Sequence, residues 1–118
     1  MNTMNQTRFS AAAAASLLWL LTAATHTAHA ADVDVAKAVE LAKASGCYSC
    51  HADADTVVGP GFKVIAAKYA GEAGAAAGLA QSIQNGSRGK WGRIPMPGHS
   101  LAPDELQLLS HWIMGMKD

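Results

Sequence analysis

Cys47 and Cys50 are the chain's two cysteines. They stand three positions apart with a histidine directly after the second, in the run Cys47-Tyr48-Ser49-Cys50-His51. That spacing is the pattern of covalent c-type haem attachment. Each thiol adds to one vinyl group on the same porphyrin edge, so one tight turn must hold the two sulfurs a few ångströms apart. The next residue is then carried under the ring, where its imidazole reaches the iron. Both thiols are used and none is left over. Three other chemistries compete. A zinc site would need four ligands and could recruit His99 or His111, but adjacent Cys50 and His51 are poorly disposed around one tetrahedral ion. A thioredoxin-like redox pair would want a βαβ context, and no strand precedes Cys47. A plain structural disulfide is the third.

A haem iron bound by His51 has a second axial position. The candidates opposite are Met96, Met114, Met116, His99 and His111. Met114, Met116 and His111 lie on or near a C-terminal helix, where a Met at helical spacing is more often core and a His more often faces solvent. Met96 instead lies in an irregular loop between Pro95 and Pro97, whose fixed φ angles stiffen the backbone on both sides. A weak thioether ligand needs such a loop, because a Met–Fe bond cannot by itself hold a floppy segment. Met96 is the expected ligand, with His99 its main rival.

The elements that must position these residues read as helices. Val33 to Ser45 is the first, with Asp32 and Asp34 at the positive end of its dipole. Val35, Val39, Ala42 and Gly46 recur along it at helical spacing, and Gly46 can end it and turn the chain into the cysteine loop. Ala52 to Gly61 is a loop broken by Gly59-Pro60-Gly61. Phe62 to Tyr69 is a short helix with Phe62, Ile65, Ala66 and Tyr69 on one side. Gly71 to Gly78 is rich in alanine and glycine and has no clear boundary; Leu79 to Gln84 is helical and stops at Asn85-Gly86. Ser87 to Ser100 is a long irregular loop, a kind usually tied to function, and its Trp91, Ile94 and Met96 argue that it packs on something apolar. Ala102 to Met116 is the clearest helix. Pro103 suits its first position, Asp104 and Glu105 fill its first turn, and Leu106, Leu109, Ile113 and Met116 line a face that Leu108 and Trp112 widen. No strand is signalled, so the fold class is all-α.

The chain has 118 residues with nine Lys/Arg against nine Asp/Glu. This balance lacks the basic stripe of nucleic-acid binders. Its start has the order of a secretory signal peptide: a polar Met1 to Arg8, an uncharged Ala/Leu-rich Phe9 to Ala24, and an Ala28-His29-Ala30 cleavage site. The apolar run is shorter than a spanning helix needs. The expectation is therefore a signal peptide over 1–30, cleaved after Ala30, and a single exported domain over 31–118 with no stable membrane insertion. His26 and His29 leave with the peptide. A domain this small has a thin core unless something staples it, and a covalent haem would be that staple.

Taken together, the chain resembles the class I cytochromes c, and most closely the short bacterial monohaem proteins of the cytochrome c-551 type. The resemblance rests on Cys47 to His51, on Gly59-Pro60, on Asn85-Gly86-Ser87 leading to Trp91-Gly92, on Ile94-Pro95-Met96-Pro97 and on a final helix bearing Trp112. It covers residues 33–117. It implies a class I cytochrome c fold, four to five helices and loops wrapped around one haem c. It further implies that the Pro60 carbonyl accepts from the outer nitrogen of His51, that Trp91 donates to a haem propionate, and that the first and last helices cross with Gly46 allowing close approach near Trp112. Three residues depart from the family pattern. His99 stands where Asn is frequent, Ala102 cannot cap the last helix, a loss of ~1 kcal/mol, and Ala42 stands where the first helix commonly carries an aromatic.

A six-coordinate iron between His51 and Met96 has no open position for substrate, which suits one-electron transfer. The expected function is a soluble periplasmic carrier, not an enzyme, between respiratory partners, and a monomer. The resemblance implies a cytochrome bc1-type donor and a nitrite reductase, terminal oxidase or peroxidase acceptor. Docking would be transient, at a haem edge framed by Val57, Val58 and Ile94, with Lys63, Arg88, Lys90 and Arg93 as candidate steering charges. The alternative is a ligand-binding or sensing haem protein in which Met96 is labile and His99 takes its place.

Overall fold

The computed structural model describes residues 32–116, so the expected leader and its cleavage site lie outside the described residues. Four α-helices follow one another: α1 (Val35–Ala44), α2 (Phe62–Lys68), α3 (Ala75–Asn85) and α4 (Pro103–Gly115), with a 3-10 turn at Cys47–Ser49 between the first two. Among the described residues the only β pairing is an isolated antiparallel bridge between Ser87 and Met96. The fold is all-α.

Helix α4 is the hub, since α1, α2 and α3 all pack on it. Its Leu106, Leu109, Trp112 and Ile113 are buried, and so is Ser110, a polar residue that the apolar pattern did not single out. Ser110 satisfies its hydroxyl by donating to Gln107 O at 3.0 Å. Ala102 has no side chain with which to cap α4, but the Glu105 carboxylate accepts from the Ala102 N–H at 2.9 Å. Half of a capping box is thus in place, and it offsets part of the expected loss.

Helix α1 begins two residues later than its sequence pattern suggests, because the Asp34 carboxylate accepts from Lys37 N at 3.0 Å and sets the N-cap there. Of its expected face, Ala42 is buried and Val39 packs against the core, but Val35 gives way to Ala38. Val35 is 57% exposed, whereas Ala38 and Ala42 are fully buried. Small residues at those two positions let α1 lie close on α4, and this outweighs the gain from burying one valine in the first turn. The close approach expected at Gly46 is therefore made elsewhere, as a Cβ at Gly46 would meet nothing within 4 Å. Gly46 matters for its backbone, which takes φ +74, a conformation costly for residues with a Cβ.

Helix α2 has no capping side chain. Its first N–H groups go instead to the preceding loop, with Phe62 N donating to Ala52 O and Lys63 N to Asp53 O, both at 2.9 Å. The loop after His51 is thereby stitched to the start of α2. Helix α3 starts four residues before Leu79 and ends at Gly86, where φ is +81. The Gly71 to Gly78 stretch was ambiguous because alanine supplies helix propensity while Gly74 at φ +78 supplies the break.

Since Ala42 is fully buried against α4, Ala42→Leu is expected to overpack the crossing and destabilise the domain by about 1–3 kcal/mol, measured as a lower urea midpoint with an unchanged slope. A midpoint equal to the parent's would contradict this packing.

Candidate functional site

One cavity gathers the chemistry. A pocket of about 1050 Å³, counting the solvent-open space at its mouth, lies between α2, α3 and α4, the cysteine turn and the Ser87–Ser100 loop. All six residues singled out as haem-binding line it: Cys47, Cys50, His51, Pro60, Trp91 and Met96. The rest of the wall is mainly apolar, with Phe62, Ile65, Leu79, Ile83, Leu109, Trp112 and Ile113 prominent.

The thiol side is a single 3-10 turn. Gly46 enters it, and Cys50 N and His51 N both donate to Cys47 O, at 3.2 and 3.0 Å. That turn is the compact bracket that two adjacent vinyl groups require. Both thiols are half-buried and unpaired. Burial pushes the Cys47 thiol up from its ordinary pKa. No group of three or more His, Cys, Asp or Glu poised to hold a metal ion occurs among the described residues. The turn is clasped from outside, where Tyr48 OH donates to Asp53 Oδ1 at 2.8 Å. Partial burial and that bond push the phenol up to about 12, so it stays a donor at any ordinary pH.

His51 is fixed from three sides. Its Nδ1 lies 2.7 Å from Pro60 O. A carbonyl only accepts, so Nδ1 carries the proton and Nε2 keeps its lone pair for a metal. The imidazole stacks on Phe62, with centroids 5.2 Å apart and planes 19° from parallel, and Phe62 in turn leans on Trp112 at 5.1 Å. Gly59 closes the third side, where a Cβ would come within 2.6 Å of His51 Cε1. The sequence marked Pro60; the stacking of Phe62 and the steric demand at Gly59 are visible only in three dimensions.

Met96 is fixed by backbone rather than by its own bonds. Ser87 N donates to Met96 O at 3.0 Å and Met96 N donates to Ser87 O at 2.9 Å. Behind this bridge the chain crosses the end of α3 so closely that a Cβ on Gly98 would meet Gln84 O at 2.7 Å. The two prolines predicted a stiff loop, and the bridge to Ser87 is the part the sequence did not show. Of the other candidate axial residues, His99, His111, Met114 and Met116 do not line the cavity. His99 donates its backbone N–H to Ile83 O at 2.9 Å, and its Nδ1 is buried without a partner.

At the rim, Trp91 is partly exposed, with Tyr69 edge-on to it at 6.3 Å and Lys68 Nζ 4.8 Å over its ring. Val57, Val58 and Ile94 are all exposed. Val58 and Ile94 line the cavity mouth, but Val57 does not. Of the four candidate steering charges only Lys90 lines the cavity.

These features fit a flat apolar macrocycle with polar groups at one edge: a two-thiol bracket on one edge, a tautomer-fixed imidazole, a thioether on a clamped loop and apolar walls between. Comparisons with known proteins agree. The cytochrome c family model matches residues 35–117. Cytochrome c-551 of Pseudomonas aeruginosa is 52% identical over 77 residues, covering 65% of this chain and 74% of that protein. Cytochrome c-551 of Azotobacter vinelandii is 46% identical over 78 residues, covering 66% of this chain and 95% of that protein. The crystal structure of wild-type Nitrosomonas europaea cytochrome c552 superposes with a TM-score of 0.64 at 44% identity, covering 67% of this chain and 99% of that one.

Gly59→Ala is expected to drive a methyl group into the His51 ring and cost about 1–3 kcal/mol, with a lower yield of haem-loaded protein and a perturbed ferric spectrum. An unaltered spectrum and midpoint would show that Gly59 does not set the imidazole.

Proposed function

The chain belongs to the cytochrome c family and is a small electron carrier with one haem c bound through Cys47 and Cys50, and from that premise we propose that it is a periplasmic carrier whose iron is closed between His51 and Met96. Bound haem c supplies a reversible one-electron ferric–ferrous couple. What the protein adds is attachment, orientation and exclusion of water.

The observation that carries the reading is that His51 and Met96 share the cavity that Cys47 and Cys50 border, while no other candidate axial residue lines it. Pro60 and Phe62 hold the imidazole with Nε2 free, and the Ser87 bridge holds the thioether loop. With both axial positions supplied by side chains no site remains for substrate. A soft thioether favours ferrous iron, and apolar walls disfavour the extra charge of ferric iron, so both features raise the potential. Trp91, at the rim, is the expected indole donor to a haem propionate. The exchange of His99 for Met96 finds no support, because His99 is tied to Ile83 and does not border the cavity.

The reading places residues 1–30 as an export signal and residues 31–118 as the released domain. No helix among the described residues is long and apolar enough to cross a membrane. Partners would dock at the open mouth, where Val58 and Ile94 offer a small apolar patch, with Val57 next to Val58 in the chain and Arg88 and Arg93 in the same loop as Ile94. Small patches of this kind suit fast, weak redox encounters. A cytochrome bc1-type donor and a nitrite reductase, terminal oxidase or peroxidase acceptor are the partner classes this reading carries.

The test is the visible spectrum of the protein from a host able to attach haem, ferric and ferrous, with and without carbon monoxide. The ferrous spectrum is expected to ignore carbon monoxide, and Met96→Ala is expected to make it bind. Ready binding by the parent protein would mean an open iron and would overturn the closed-carrier reading.

A further inference from the structure

Haem c brings two carboxylates into a cavity whose wall is nearly all apolar. A carboxylate placed unpaired among apolar side chains is costly, so these groups belong at the rim. Among the residues that border the cavity, Lys90 is the only one of Asp, Glu, Lys and Arg.

Lys90 is exposed, yet a hydrogen bond holds it at the rim. Its Nζ donates to Ser82 Oγ at 2.9 Å. Ser82 spends its own hydroxyl proton on Gly78 O at 3.0 Å, one turn back in α3, so its oxygen is left to accept from the ammonium. The pair therefore has one polarity, and it pins the cation on the rim at the α3 side. The backbone helps, because Gly89 takes φ +70 immediately before Lys90 and Trp91 follows on the same rim. Glu72 lines a shallow hollow on the outer side of Ser82 and Lys90, yet no ion pair joins it to Lys90 among the described residues. The exposed ammonium can therefore donate further while bound to Ser82, beside a cavity that receives a dianionic ligand. A steering charge gains nothing from being fixed in this way, whereas a counter-ion does.

We propose that Lys90, held by Ser82, is the counter-ion of one haem carboxylate and biases the iron toward the ferrous state. The inference rests on haem c occupying the cavity as described above. The direction follows from charge alone. Ferric haem carries one more positive charge than ferrous haem; a fixed cation nearby disfavours it, and cancelling a carboxylate removes an anion that favours it. The assignment takes Lys90 out of the set of steering charges.

The experiment is a potentiometric titration of the haem-loaded protein, followed in the visible spectrum. Lys90→Met is expected to move the ferric–ferrous equilibrium toward ferric by about three- to tenfold, ~30–60 mV for a one-electron couple. Lys90→Arg, which keeps the charge, is expected to stay within about twofold, and Ser82→Ala to fall between. Lys43→Met, on the exposed side of α1, is the control for loss of any one charge. In Lys90→Met, the infrared carboxylate stretch of one haem carboxylate should also shift, a change that a merely structural role would not produce. A potential for Lys90→Met equal to that of Lys43→Met, with both carboxylate bands unmoved, would overturn the proposal. Absence of haem absorbance from the parent protein would instead overturn the haem placement on which it rests.

Discussion

One pocket lined mainly by apolar side chains opens inside this domain, and the helices that pack on α4 are arranged around it. Leu109, Trp112 and Ile113 of α4 and Phe62 and Ile65 of α2 border it together with Leu79 and Ile83 of α3 and the Met96 loop. The side chains that the chain packs fully among themselves are few, with Leu109 and Ser110 the largest. A domain of this size holds a marginal core. A large apolar plate in that pocket adds to the one buried cluster that α1 to α4 share, and its covalent attachment means the contribution to stability cannot be lost by dissociation.

The same constraint explains why His51 and Met96, the proposed axial pair, are held by backbone and stacking rather than by chains of side-chain hydrogen bonds. On the His51 side, a prolyl carbonyl fixes the tautomer while Phe62 and Gly59 fix the plane. On the Met96 side, a single bridge to Ser87 and a close crossing at Gly98 fix the loop. Both arrangements leave His51 Nε2 and the Met96 sulfur without a hydrogen-bond partner among the described residues, as the proposed ligation requires. A rigid, pre-formed site is what a carrier requires, since reorganisation would slow transfer.

Much of this was legible in the sequence because its chemistry is local. The cysteine–histidine spacing, the Gly59-Pro60 pair, the Pro95-Met96-Pro97 segment and the amphipathic α4 each state their role within a few residues. What was not legible depends on pairs far apart in the chain. In an alanine-rich α1 the stripes through Val35 and through Ala38 are equally regular, and only contact with α4 selects the second. Gly46 suggested a close approach, but its role is the left-handed turn into Cys47. The pinning of Lys90 by Ser82 joins residues eight positions apart on different elements, so a charge that reads as solvated in the sequence borders the cavity in the fold.

The most direct test of the closed His51–Met96 site is an NMR spectrum of the reduced, haem-loaded protein with its methionine methyl groups carbon-13 labelled. A methyl held against the face of a haem lies in a strong ring current, which shifts its resonance far upfield. The account predicts one such methyl, assigned to Met96 by its loss in Met96→Ala. Methyl resonances that all stay at ordinary positions, or an upfield methyl that belongs to Met114 or Met116, would contradict it.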